Sequence, residues 1–256
     1  MTYEGYFIDL DGTIYQGKNS FPSGKRFIER LRQNDKQFMF VTNNATRTPE
    51  QVQRTLADEH DIHVDMTQIY TSAMATADYV SRLAEVKKVL VIGEIGLHQA
   101  LAAKGLTIVT RGNADAVVVG LNRELKYDDL MYATLAIQNG AKFIATNIDT
   151  NLPNEKGMIP GAGTVVAAVQ TATQQQPIII GKPYTPIMEG ALQRAQLDVK
   201  QVIMVGDNYK TDIQAGINLK MDTLLVYSGI STKSQIKAEQ IKPTHEVDSL
   251  DDWVIE

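Results

Sequence analysis

Apolar residues in this chain come in short runs that stop abruptly at small clusters of acids, amides and glycines. The first run, Tyr6-Phe7-Ile8, has the aromatic and β-branched character of a buried parallel strand, and it breaks into Asp9-Leu10-Asp11-Gly12-Thr13. Asp11-Gly12 is a turn signal that ends it. Residues 23–35 then set Phe27, Ile28 and Leu31 at helical spacing, and Gln37-Phe38-Met39-Phe40-Val41-Thr42 reads as a second buried strand. The three make a βαβ unit whose parallel strands present Asp9, Asp11, Thr42 and Asn43 on one sheet edge, where ligands bind in open α/β sheets. Thr48-Pro49-Glu50-Gln51 starts the next helix, with Thr48 as N-cap, Pro49 at the first helical position and Gln51 completing a capping box.

A further helix is expected over 70–83, and at Lys88-Val89-Leu90-Val91-Ile92 a new series of strands and helices begins. It continues through 97–104, 108–110, 116–119, 127–138 and 142–146, until residues 151–157 interrupt it as a loop. Ile178-Ile179-Ile180 reads as another buried strand and runs into Gly181-Lys182-Pro183. A helix over 185–195 follows, then a strand, Val202-Ile203-Met204-Val205, that ends in Gly206-Asp207. A helix over 211–218, a strand over 223–226 and a short element around Trp253 close the chain. No repeat or Gly/Ser linker marks a boundary, so the division follows from strand order: a unit at 86–177 inserted into a domain built from 1–85 and 178–256.

The length of 256 residues allows one large or two modest domains at about 150 residues each. Apolar residues at 43% and charged residues at 21% are ordinary for a globular protein, which excludes disordered and fibrous classes. A net charge of −5 without a Lys/Arg-rich block argues against nucleic acid as a partner. The absence of cysteine excludes disulfides, thiolate zinc sites and a cysteine nucleophile. Met1-Thr2-Tyr3-Glu4 lacks the plan of a signal peptide, and no apolar run approaches the 18 or so residues of a spanning helix. A cytoplasmic protein with no membrane partner is expected.

Two carboxylates one residue apart at a strand's end are costly to bury unless a cation pairs with them. Asp9 and Asp11, joined by Asp207 and by Asp212 five residues on, would form such a cluster, and Mg2+ suits a few carboxylates with waters and a substrate phosphate. A calcium loop is excluded, because Gly12 sits at the fourth position and not the sixth. His60, His63, His98 and His245 form no zinc pattern, and exposed polar residues are their default. Gly93-Glu94-Ile95-Gly96 and Gly161-Ala162-Gly163 are explained by strand-to-helix turns.

Asp9-Leu10-Asp11-Gly12-Thr13, then Thr42-Asn43, then Gly181-Lys182-Pro183, then Gly206-Asp207-Asn208-Tyr209-Lys210-Thr211-Asp212 resemble, in this order, the four motifs of the haloacid dehalogenase superfamily of phosphatases. The long insert between the second and third motifs, with Thr146-Asn147-Ile148-Asp149 inside it, resembles the NagD-like, p-nitrophenylphosphatase-type branch. The resemblance implies an α/β fold, a Rossmann-like parallel-sheet core with an inserted α/β cap domain. It also implies a magnesium-dependent hydrolase of small phosphomonoesters such as sugar phosphates or nucleoside monophosphates, with p-nitrophenyl phosphate as an in vitro substrate. Asp9 would be the nucleophile that takes the phosphoryl group, and Asp11 the acid and base, its backbone carbonyl a magnesium ligand. Thr42 and Asn43 would hold phosphoryl oxygens and Lys182 would neutralise their charge. Asp207 would bind magnesium directly, Asp212 through a water or by orienting Lys182, and Thr13 would be a supporting hydrogen bonder. Asp149 and Asn151 in the cap are expected substrate contacts. Caps of this type often take part in dimer contacts in the family, which makes a homodimer one expectation.

Three rivals share parts of this pattern. A phosphotransferase or mutase would use the same aspartyl-phosphate and differ in what the cap admits. A signalling phosphoacceptor is disfavoured by Asp11, a base that would hasten loss of the phosphate, and a non-catalytic binding protein by the intact motif set.

Overall fold

Strand β1 (Gly5–Ile8) is buried along its whole length, as its apolar run requires. A computed structural model gives the structure of residues 2–154 and 156–256. Met1 of the amino-terminal segment and Glu155 of the expected 151–157 loop lie outside the described residues. After β1 come the hairpin β2 (Tyr15–Gln16) and β3 (Asn19–Ser20), α1 (Pro22–Gln33), β4 (Gln37–Thr42), α2 (Pro49–His60) and β5 (Ile69–Thr71). The chain continues with α3 (Ser72–Ser81), β6 (Lys88–Ile92), α4 (Ile95–Ala103), β7 (Thr107–Val109), β8 (Ala116–Val119), α5 (Tyr127–Gln138) and β9 (Lys142–Ala145). Then follow β10 (Asn151–Asn154), β11 (Gly157–Pro160), α6 (Ala162–Thr173), β12 (Ile178–Ile179) and α7 (Thr185–Ala195). Last come β13 (Val202–Gly206), a π-helical turn (Tyr209–Ile213), α8 (Gln214–Leu219), β14 (Asp222–Val226), α9 (Lys233–Ala238) and β15 (His245–Val247).

Two compact units divide the chain. The first comprises Met1–Thr42, Glu50–Tyr70 and Lys182–Glu256. Its six-stranded sheet has the order β15-β14-β13-β1-β4-β5, with parallel pairing of β1 to both β13 and β4, of β13 to β14 and of β14 to β15. The chain leaves β1 toward β4 and β5 on one side and later fills β13, β14 and β15 on the other. The carboxyl ends of β1 and β13 therefore face a topological switch point, where open α/β sheets make their clefts. Helix α1 starts with Pro22, whose missing N–H costs nothing there, and buries Phe27, Ile28 and Leu31 on one stripe. Phe27 meets Tyr6 edge-on at 5.8 Å, and both belong to a core with Phe40, Leu56, Ile203, Val205 and Leu224.

The second unit comprises Asn43–Pro49 and Thr71–Gly181. Its sheet, β12-β9-β8-β6-β7, is parallel throughout, and β8 is wholly buried, as its run Ala116-Val117-Val118-Val119 requires. Val117, Val119, Phe143, Ala133, Ile137 and Val166 form its core.

Several elements differ from the sequence expectation. Residues 69–71 join the first sheet as β5, and the helix starts only at Ser72 with Thr71 as its N-cap, because Ile69-Tyr70-Thr71 is a β-branched and aromatic triplet. Asn151–Asn154 and Gly157, expected in a loop, are strand residues, β10 pairing antiparallel with β11. Of Ile178-Ile179-Ile180 only the first two residues form a strand, and it pairs with β9 in the second sheet. The second unit is accordingly wider than 86–177. Its α3 packs against α4, and Gly96 N donates to Thr46 O at 3.0 Å, so close that a Cβ at Gly96 would lie 2.3 Å from Arg47 O. Among the described residues no helix is long and apolar enough to cross a membrane.

The ring of Phe27 fills the centre of the first unit's core. Phe27→Ala is expected to lower stability by about 3–5 kcal/mol through lost transfer energy and an uncollapsed cavity. Urea unfolding followed by circular dichroism would show this as an earlier midpoint.

Candidate active site

Two carboxylates bind one buried lysine at the carboxyl ends of the first unit's central strands, and a third carboxylate lies beside them. Asp9 follows directly on β1 and extends its pairing, since its N–H donates to Val205 O at 2.9 Å. Asp207 follows β13, and Asp212 lies on the π-helical turn, four residues after its N-cap Asn208. Oxygens of Asp9, Asp207 and Asp212 all lie within 4.8 Å of one another. Lys182 Nζ donates to Asp9 Oδ1 at 2.7 Å, to Asp212 Oδ1 at 2.8 Å and to Val41 O of β4 at 2.7 Å. Its side chain is only 1% exposed, against 14% for Asp9 and 1% for Asp212.

Burial works against the charge on Lys182, but the carboxylates of Asp212 and Asp9 outweigh it and hold the ammonium above its ordinary pKa. The opposite happens to the acids. Burial lifts Asp9 well above the usual carboxylate range, Lys182 pulls it back, and the charges of Asp212 and Asp207 add to the rise. Asp207 is pushed up to about 6 by burial and by Asp212, although N–H and hydroxyl donors favour its ionised form. Those donors are Ile230 N at 2.8 Å on Oδ2 and Thr13 Oγ1 at 3.0 Å on Oδ1. Asp212 Oδ2 accepts from Asn208 N at 3.1 Å.

Three carboxylates against one ammonium leave an excess of negative charge in a buried place, and hard oxygens at this spacing fit a hard divalent cation. Glycines let the acids come so close. Gly12 adopts φ +95°, and a Cβ there would stand 2.5 Å from Asp207 Oδ2. At Gly229 a Cβ would be 2.0 Å from the same oxygen, and at Gly206 2.3 Å from the Asp212 side chain.

Asp11 is placed differently from the other acids. Its side chain is exposed, and its backbone is bridged to Tyr15. Thr42 is buried at the end of β4, and Asn43 follows it. The Asn43 carbonyl accepts from Ser72 Oγ at 2.5 Å and Asn147 Nδ2 at 2.7 Å, while its own Nδ2 donates to Asp149 Oδ1 and Oδ2 at 3.0 and 3.1 Å. Asp149 is thus held by an asparagine of the second sequence motif. Asn151 is exposed at the start of β10, its Oδ1 accepting from Thr150 Oγ1.

Sequence reasoning passed over two parts of this arrangement. The Ser228-Gly229-Ile230 turn closes on the site, with Ser228 Oγ donating to Gly12 O at 2.7 Å, and its only signal was a Ser-Gly pair after an apolar strand. His60 was expected to be exposed; it is buried, because its ring stacks on Tyr15. His63 is exposed, beside Asp61 at 3.6 Å.

Comparison with known proteins agrees with these motifs. A family profile described as haloacid dehalogenase-like hydrolase matches residues 6–107, and a second HAD-like hydrolase profile matches 179–253. The chain is 44% identical over 253 residues to the 5'-nucleotidase YutF of Bacillus subtilis (strain 168), covering 99% of this chain and 98% of that one. It is 41% identical over 254 residues to the acid sugar phosphatase of Staphylococcus aureus (strain USA300), with the same coverages of 99% and 98%. A solved mutant of the thermostable p-nitrophenylphosphatase from Bacillus stearothermophilus superposes with a TM-score of 0.90 at 45% identity, over 100% of this chain and 99% of that one. With its motifs in order and relatives matched over nearly its whole length, the chain belongs to the haloacid dehalogenase-like hydrolase family.

Proposed function

We propose that this chain is a magnesium-dependent phosphatase of small phosphomonoesters that works through an aspartyl-phosphate on Asp9. The observation that carries the reading is the buried Lys182 ammonium, hydrogen bonded at once to Asp9 and Asp212 beside Asp207. In the first step an Asp9 carboxylate oxygen bonds to phosphorus as the ester P–O bond breaks, and Asp11 gives its proton to the departing oxygen. In the second, Asp11 takes a proton from water, whose oxygen displaces Asp9 and releases inorganic phosphate. Lys182 and the side chains of Thr42 and Asn43 oppose the charge of the phosphoryl oxygens. Asp9, Asp207 and the Asp11 carbonyl would hold Mg2+, with Asp212 serving through a water and as the anchor of Lys182. The ion, when bound, supplies positive charge against the phosphoryl group.

The substrate is a small phosphorylated metabolite, and the relatives' names divide between nucleotides and sugar phosphates. The first unit is read as the catalytic core and the second as its cap, which would select the leaving group. Within it Asn151 is assigned to substrate, while Asp149 acts by holding Asn43. A cytoplasmic location and a homodimer complete the proposal.

Phosphate release from a panel of nucleoside monophosphates, sugar phosphates and p-nitrophenyl phosphate tests this reading. Turnover of at least one class is expected with Mg2+ and none in EDTA, with recovery when Mg2+ is returned. Activity unchanged by EDTA would remove the metal, and an inert panel would remove the phosphatase. Asp9→Asn should lose on the order of 10³-fold or more in kcat while its unfolding midpoint does not fall, since the change deletes a charge among other acids. Lys182→Met strands buried carboxylates without their cation and should lose about 3–5 kcal/mol of stability in urea unfolding. Adding Asp212→Asn to it should restore part of that loss.

A further inference from the structure

Asp11 and the helix end at His60 are joined by a short relay of contacts. Tyr15 grips both residues that flank Asp11: its N–H donates to Leu10 O at 3.3 Å and its carbonyl accepts from Gly12 N at 2.7 Å. The Tyr15 ring lies flat on the His60 imidazole, with centroids 4.2 Å apart and planes 2° from parallel. Across the hairpin, Ser20 is the register partner of Tyr15, and its Oγ is 2.7 Å from His60 Nδ1 and 3.3 Å from Glu59 O. His60 therefore touches both strands of β2–β3 at one level.

The chemistry of the ring fits a fixed platform. His60 is 4% exposed, and its Nε2 is buried without a hydrogen-bond partner. Burial holds it below its ordinary pKa, so the ring is neutral. Ser20 donating to Glu59 O and accepting from Nδ1–H leaves Nε2 with a buried lone pair, which is cheaper than a buried N–H. Because α2 also buries Val52 and Leu56 in the first unit's core, the platform is tied to the sheet that carries Asp9.

We propose that His60 is a positioning residue for the acid–base chemistry of Asp11, acting through the Tyr15 stack and the Ser20 hydrogen bond. The backbone on both sides of Asp11 sets where its exposed side chain starts from. That backbone hangs on Tyr15, and Tyr15 rests on His60. The inference rests on the assignment of Asp11 as the group that protonates the leaving oxygen while Asp9 bonds to phosphorus.

That assignment supplies the test. A p-nitrophenolate leaves without a proton, whereas the alkoxide of a sugar phosphate needs one, so misplacing the acid should harm the second substrate selectively. The constant kcat/KM reports the step in which the ester bond breaks. His60→Ala and, independently, the half-buried Tyr15→Leu are expected to lower kcat/KM for a turned-over sugar phosphate by about tenfold or more, and that for p-nitrophenyl phosphate much less. His60→Phe, which keeps a flat ring beneath Tyr15, should recover most of the loss. Equal losses on both substrates, or no loss in either variant, would overturn the positioning role. Asp11→Ala run alongside separates the two layers. If it is selective and the His60 and Tyr15 variants are not, the positioning proposal fails alone. If its own loss is uniform, the acid assignment fails and the proposal with it.

Discussion

One buried ammonium among three carboxylates is the constraint around which the first unit is arranged. Lys182 spends its three N–H bonds on Asp9, Asp212 and the Val41 carbonyl, which lie after β1, on the turn after β13 and on β4. Those partners can meet only if β13, β1 and β4 lie side by side and point the same way, as they do. The parallel sheet and its order are therefore preconditions of the charge cluster. The cluster in turn is not self-sufficient: desolvation raises Asp9 and Asp207 despite the lysine, so the acids are held together against their electrostatics by the surrounding core. Carboxylates held together in this way could take up a hard divalent cation, whose charge would relieve their repulsion.

Close approach of the acids is bought with backbone rather than side chains. Gly12, Gly206 and Gly229 each stand where a Cβ would intrude on a carboxylate, and Gly12 also has a left-handed φ. Gly12 lies in the loop after β1, Gly206 ends β13 and Gly229 lies in the loop after β14, so three neighbouring strands each contribute one point of bare backbone.

Much of this was legible in the chain, for identifiable reasons. Asp9, Asp207 and Lys182 could be read because each follows an apolar run, and a polar residue at the end of a buried strand has few structural excuses. What an apolar run does not encode is its neighbour. Ile178-Ile179-Ile180 was recognisable as a strand but not a buried one, since Ile178 is exposed, and only the fold shows that Ile178 and Ile179 pair with β9 while Lys182, a few residues later, serves the other sheet's acids. The same blindness to partners hid the Asp149 to Asn43 hydrogen bonds, which span 106 residues, and the stacking that buries His60. Short strands such as β5 and the β10–β11 hairpin were lost because too few residues alternate to establish a period.

Asp9 and Asp11 show how two identical side chains two positions apart receive different physical treatment. In an unbroken strand they would share a face. The chain does not continue as a strand: Leu10 O accepts from Ile14 N at 2.9 Å and from Tyr15 N at 3.3 Å, so the backbone turns back at Leu10 and Gly12 completes the reversal. Asp9 stays at the sheet's end, enclosed and fixed by Lys182, whereas Asp11 is carried out to an exposed position on the rim. On the roles proposed for them, enclosure would give Asp9 a fixed line of approach as a nucleophile, while Asp11 as a proton carrier would need access to water. The turn at Leu10 to Tyr15 is thus the element that gives two like residues different surroundings, and the ring of its last residue rests on His60.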